Sequence, residues 1–134
     1  MPRILVVDDD VLIREILRKV LQNRGYKVVV AESGHDGVSA IEAFSFDLVL
    51  VNIFMPGMDG FETIRTLRAS APEVPVVAMS GYVFGDPAAD GDYFLKALGL
   101  GVAHCLHKPF RNEELVAVIE ACRIGAPATE NRVA

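Results

Sequence analysis

Three consecutive aspartates, Asp8, Asp9 and Asp10, follow the apolar run Ile4 to Val7. Three more polar residues close later apolar runs: Asn52 after Leu48 to Val51, Ser80 after Val74 to Met79, and Lys108 shortly after Ala103 to Leu106. Clustered carboxylates repel one another unless a cation sits among them, and Mg²⁺ favours hard oxygen ligands. A lysine ammonium is a point charge for phosphate oxygens, and a serine hydroxyl can donate to the same oxygens. Together these residue types suit phosphate and divalent-metal chemistry. Taken singly, each has a plainer role, because an aspartate after a strand caps a helix and a lysine is solvated. Asp10 is assigned the cap, and Asp8, Asp9, Ser80 and Lys108 the joint site.

Such a site needs elements that bring four distant segments to one rim. The apolar runs, with Lys27 to Ala31 as the second, are short and apolar almost throughout, as expected of strands covered on both faces. Helical patterns lie between them. Asp10 to Asn23 sets Ile13, Ile16, Leu17, Val20 and Leu21 on one face, with Gly25 as the stop. Ser33 is placed to cap a helix carrying Val38, Ile41 and Phe44, Asp59 one carrying Phe61, Ile64 and Leu67, and Asn112 one carrying Leu115, Val118, Ile119 and Cys122. A fourth helix is expected near Ala88 to Leu98, after the Gly85-Asp86-Pro87 break. Five strands alternating with five helices imply an α/β fold: a five-stranded parallel sheet between two helical layers. Ligands of open α/β sheets bind at the carboxyl ends of the strands, where the polar residues collect.

Composition narrows the function. The chain has 134 residues, 51% apolar and 23% charged, and suits one domain, assigned to residues 1–124, with 125–134 as a flexible tail. The net charge of −5, without a basic block, argues against direct nucleic-acid binding. No apolar stretch reaches membrane-spanning length and the start does not resemble a signal peptide, so a cytoplasmic location is expected. Cys105 and Cys122 form no CxxC and are expected as free thiols. His104 and His107 flank the last strand at a spacing that points them to opposite faces, which argues against a metal site there; His35 is assigned to a helix surface.

Ile4-Leu5-Val6-Val7-Asp8-Asp9-Asp10, Met55-Pro56-Gly57-Met58-Asp59-Gly60, Ser80-Gly81 and Lys108-Pro109-Phe110 closely resemble the receiver domain of two-component response regulators, the CheY-like superfamily. The resemblance covers about residues 3–123. It implies a flavodoxin-like (βα)5 sandwich with strand order 2-1-3-4-5. In that family a histidine kinase, or a phosphotransfer protein, donates a phosphoryl group to an aspartate at the end of the third strand. The resemblance makes Asp8 and Asp9 the Mg²⁺-binding pair, with the backbone carbonyl of Phe54 and position 52 as further ligands. It makes Ser80 the hydroxyl that meets the phosphoryl group and Lys108 the cation paired with it. Output would leave through the face of the fourth helix, fifth strand and fifth helix, to an effector or output domain, from a monomer or weak homodimer.

Two residues depart from the pattern. Asn52 occupies the phospho-acceptor place, and a neutral amide oxygen is a poor nucleophile. Phosphotransfer to it is not expected, and Mg²⁺ should be held more weakly than beside an aspartate. Cys105 stands where relatives carry a Tyr or Phe that swings inward on activation. The segment between Ser80 and Lys108 is also several residues longer than usual and holds the acidic Asp90-Gly91-Asp92. Asn52 is natural, giving an atypical receiver, or an engineered replacement of aspartate, or a residue that deamidates back to a carboxylate, a step the β-branched Ile53 should make slow; Cys105 and the long segment favour the natural origin. The expected role is non-enzymatic signalling in a phosphorelay. One alternative is a constitutive protein-interaction module. A remote one is a haloacid-dehalogenase-like phosphatase with Asp8 as nucleophile, which lacks that family's acidic pair after the lysine and its cap domain.

Overall fold

The computed structural model describes residues 1–55, 57–81 and 87–124, and the side chains of all of these except 87–92. The expected features at Pro56, Gly85, Asp86 and the 125–134 tail lie outside the described residues, as do the side chains of Asp90 and Asp92. Ten elements alternate: β1 (Arg3–Val7), α1 (Val11–Asn23), β2 (Lys27–Ala31), α2 (Gly34–Ala43), β3 (Leu48–Asn52), α3 (Gly60–Ser70), β4 (Val76–Ser80), α4 (Pro87–Gly99), β5 (His104–His107) and α5 (Asn112–Ala121). The strands form one parallel sheet in the order β2-β1-β3-β4-β5, as the resemblance implied.

Strand periodicity sorts the core into two halves. On one face Leu5, Val7, Val49, Val51, Val76 and Ala78 pack with Ile41 of α2, Phe61, Ile64 and Leu67 of α3, and Ala97 of α4. On the other, Ile4, Val6, Leu48, Leu50, Val77, Met79 and Leu106 pack with Leu17 and Leu21 of α1 and Leu115 and Ile119 of α5. Every residue of β3 and β4 is buried, which explains their unbroken apolar sequence. At the edges, β2 keeps only Ala31 buried and β5 only Leu106.

Three expected caps form: Asp10 accepts from the backbone N–H groups of Leu12 and Ile13, Ser33 from Asp36, and Asp59 from Glu62. Gly25 has φ +91°, as a helix stop requires. Four details differ from the sequence expectation. The cap residue of α5 is Arg111, whose backbone N–H donates to the Glu114 carboxylate at 3.2 Å, and Asn112 is the first helical residue. Strand β4 begins at Val76, because Pro75 before it has no N–H for the ladder. Ile16 is 46% exposed on the outer side of α1. Phe44 is 54% exposed because α2 ends at Ala43, and Phe46 takes the buried place instead.

The turn after β3 depends on one close approach. The Gly60 N–H donates to the Ile53 carbonyl at 2.8 Å, and a Cβ on Gly60 would collide with the Ile53 backbone. This packing starts α3 directly against the strand end that carries Asn52. Gly60→Ala should therefore destabilise the domain by about 2 kcal/mol, because backbone must move to admit the methyl. Chemical denaturation of both proteins checks this, and an unchanged midpoint would refute it.

Candidate functional site

Sheet register sets the polar residues side by side. Val7 pairs with Val51, so Asp8 leaves β1 level with Asn52. Asn52 pairs with Met79, and Ser80 with His107, so Ser80 and Lys108 follow within one residue of that level. The Lys108 N–H donates to the Ser80 carbonyl at 2.6 Å, extending the ladder to the lysine itself. The Lys108–Pro109 peptide is cis.

Asp8 is the centre of the cluster. It is fully buried, and Lys108 Nζ lies 2.7 Å from its Oδ2. Its Oδ1 accepts from the Asp10 N–H at 3.0 Å. Arg14 of α1 donates from Nη1 to the Asp8 carbonyl at 2.8 Å. Asn52 is also buried, and its Nδ2 lies 2.8 Å from the Phe54 carbonyl, 3.2 Å from Asp9 Oδ1 and 3.5 Å from Asp8 Oδ1. Ser80 is fully buried and its hydroxyl donates to the Gly81 carbonyl at 3.1 Å. Asp9 is exposed at the mouth.

The structure therefore brings Asp8, Asp9, Asn52, Phe54 and Lys108 into direct contact, with Ser80 at the adjoining strand end. Asp8 meets the Lys108 ammonium, Asp9 meets the Asn52 amide, and the amide adds no charge. The carboxylate and carbonyl oxygens are of the kind a hard divalent cation takes. As arranged, however, three of them close around an amide N–H donor, a geometry that fits a hydrogen-bonding group rather than a cation. Among the described residues no group of three or more His, Cys, Asp or Glu side chains could hold a metal ion.

The sequence reading missed Arg14, whose bond to a backbone carbonyl leaves no pattern in the chain. It also missed the contact of the Phe54 ring with Tyr93 of α4, with ring centroids 4.5 Å apart and an edge-to-face angle of 87°. Only the tertiary fold joins those two segments.

Cys105 is half-buried on the α4 face of the sheet, with its sulfur 4.0 Å from the Phe94 carbonyl. Burial pushes its thiol from the ordinary 9.0 up to about 11, and Cys122 is raised by the same cause. The two cysteines are free thiols. His107 packs edge-on against Phe94, while its neighbour Leu106 joins the opposite core, so alternation sends His104 away from His107 as the spacing implied.

A family model described as the response regulator receiver domain matches residues 4–120. The chain belongs to the response regulator receiver family. Among curated relatives, the cell cycle response regulator CtrA of Brucella ovis is 29% identical over 119 residues, covering 89% of this chain and 49% of its own. The receiver thus spans about half the length of such relatives. Among solved structures, the Vibrio cholerae chemotaxis protein CheY4 superposes with a TM-score of 0.81 at 26% identity, over 91% of this chain and 98% of its own. The receiver domain of NtrX from Brucella abortus gives 0.81 at 29% identity, over 89% and 96%. No described helix of this receiver is long and apolar enough to cross a membrane.

Two measurements check the site. Lys108→Met leaves the Asp8 carboxylate buried without its partner and should cost about 2–3 kcal/mol, given that the lysine keeps some solvent contact. Adding Asp8→Asn should restore much of that loss, and a double variant as unstable as the single one would refute the pairing. For Cys105, the raised thiol should lower the thiolate fraction roughly hundredfold at about pH 8, so alkylation by iodoacetamide should be slow until the protein unfolds. The folded state holds this proton more tightly than the unfolded state, so the thiol lowers stability as pH rises from 9 towards 11. Alkylation of Cys105 as fast as that of an unfolded control would contradict the burial.

Proposed function

We propose that this chain is the receiver of a two-component phosphorelay that keeps the family's pocket but does not accept a phosphoryl group at its centre. The observation that carries the reading is Asn52: it ends β3, is buried, and donates to Asp9 and to the Phe54 carbonyl where the family's phospho-acceptor aspartate is expected. A carboxylate can attack phosphorus and form an acyl phosphate, whereas an amide oxygen is neutral and weakly nucleophilic. In this reading Lys108 and Ser80 keep their family places as the cation and hydroxyl of the phosphoryl site, Asp8 and Asp9 are the acidic pair, and Mg²⁺ binding is weakened. Phosphotransfer would use Mg²⁺ to neutralise the phosphoryl oxygens. This chain's own residues provide the Lys108 charge, the Ser80 hydroxyl and a buried acidic floor.

The partners follow from the same reading. A histidine kinase or phosphotransfer protein would dock over the pocket mouth without transferring its phosphoryl group to Asn52. A 420 Å³ cavity beside it, lined by Ile13, Ile16, Leu17, Pro109 and Phe110, shares Lys108 and Gly81 with the pocket rim. Val11, Leu12 and Ile16 are exposed on the adjoining helix, an apolar surface that suits a partner helix. An effector or output domain would read the α4–β5–α5 face.

Cys105 favours a second reading, a constitutive interaction module. A small half-buried thiol replaces the aromatic ring that would report pocket occupancy, so the output face would stay in one arrangement. The phosphatase reading gains no support from the geometry: Asp8 is fully buried, with Lys108 on one carboxylate oxygen and the Asp10 N–H on the other.

Incubation with acetyl phosphate and Mg²⁺, followed by intact-mass measurement, tests the proposal. The expected result is no stable phosphoryl adduct on this protein and one adduct on Asn52→Asp. An adduct of equal yield on both would overturn it and point to another acceptor.

A further inference from the structure

We propose that the Asn52 side-chain amide is an internal stand-in for a divalent cation, holding the Asp9, Asp8 and Phe54 oxygens together so that the pocket is closed without metal. The inference rests on the receiver reading above and extends it to the metal chemistry of the same pocket. One nitrogen lies 2.8 Å from the Phe54 carbonyl, 3.2 Å from Asp9 Oδ1 and 3.5 Å from Asp8 Oδ1. An amide nitrogen carries two hydrogens and no useful lone pair. The two shorter contacts take those hydrogens, and the third is an electrostatic approach. Turning the amide over would press its oxygen against two carboxylates and a carbonyl, so the surroundings select the orientation. An aspartate at this position would be an acceptor among acceptors and could not do this without a cation.

The same arrangement reaches α4. Phe54, whose carbonyl the amide holds, sets its ring edge-on against Tyr93 at 4.5 Å. Tyr93 in turn packs on Phe61 at 6.0 Å, and Lys96 Nζ sits 4.4 Å above the Phe61 ring. A cation entering the three oxygens must displace Nδ2 and free the Phe54 carbonyl, and that movement would be felt at Tyr93. The amide therefore excludes the metal and fixes the Phe54–Tyr93 contact in one state.

The test compares the full chain with Asn52→Asp and Asn52→Ala, using thermal melting in EDTA or in excess MgCl₂ and NMR of the Tyr93 ring. For the unaltered chain, Mg²⁺ should move the melting temperature by less than about 1 °C and leave the Tyr93 resonances in place. Asn52→Asp should melt lower in EDTA, recover with Mg²⁺ and bind it at least about tenfold more tightly than the unaltered chain. Asn52→Ala should also melt lower in EDTA, yet gain a Mg²⁺ response that the unaltered chain lacks, because its oxygens are vacated. Loss of packing alone would lower melting without creating that response. A Mg²⁺ shift in the unaltered chain as large as in Asn52→Asp would overturn the inference, as would Asn52→Ala with no Mg²⁺ response. Should either variant fail to fold, Mg²⁺ titration of the unaltered chain at Tyr93 decides alone: movement of that ring refutes the stand-in. A strong Mg²⁺ response without any acetyl-phosphate adduct would sink this inference and leave the receiver reading standing, whereas an adduct on the unaltered chain would sink that reading by itself.

Discussion

A fully buried carboxylate, Asp8, sets the terms for everything around it. A charge out of water must be met by opposite charge and by donors, or it destabilises the fold by several kcal/mol. Here the partners come from three parts of the chain: Lys108 from beyond β5, the Asp10 N–H from the start of α1, and more distantly the Asn52 amide from β3. The Asp10 bond is local, but Lys108 and Asn52 can reach Asp8 only if the strand order and register are right. The buried charge therefore rewards one topology. A slip of β5 would take Lys108 from Asp8 as well as moving apolar side chains to the wrong face.

This dependence ties the pocket to the fold whatever chemistry takes place at position 52. Asp8 and Lys108 are partners in a buried pair, so removing either carries a cost in stability. Asn52 adds donors to a cluster that otherwise holds a surplus of acceptors. The amide is compatible with the acidic neighbourhood in a way that a third carboxylate without a cation is not.

Much of this was legible in the chain. Unbroken apolar runs marked β3 and β4 because both faces of those strands are covered. Asp8, Asn52, Ser80 and Lys108 stood out because polar residues at the ends of such runs have few other reasons to be there. The helix caps at Asp10, Ser33 and Asp59 were readable because capping is local. The misses share a cause. Phe44 and Ile16 fit an apolar period, but the place where a helix ends and the side of it that lacks a covering neighbour are tertiary facts. Arg14 and Tyr93 act through a carbonyl and a ring edge that sequence spacing does not display. At α5 the cap fell one residue early, because the Glu114 carboxylate serves the Arg111 N–H directly.

Phe54 ties the polar site to the rest of the molecule. Its carbonyl belongs to the pocket, while its ring belongs to the apolar layer beneath α4. A single peptide unit thus spans the boundary between the two, and neither side can shift without the other. Cys105, on the same face of the sheet, lies 4.0 Å from the Phe94 carbonyl of α4 and carries no ring to stack there. The described link between pocket and α4 therefore runs through the β3–α3 loop, where Phe54 follows Asn52 by two residues.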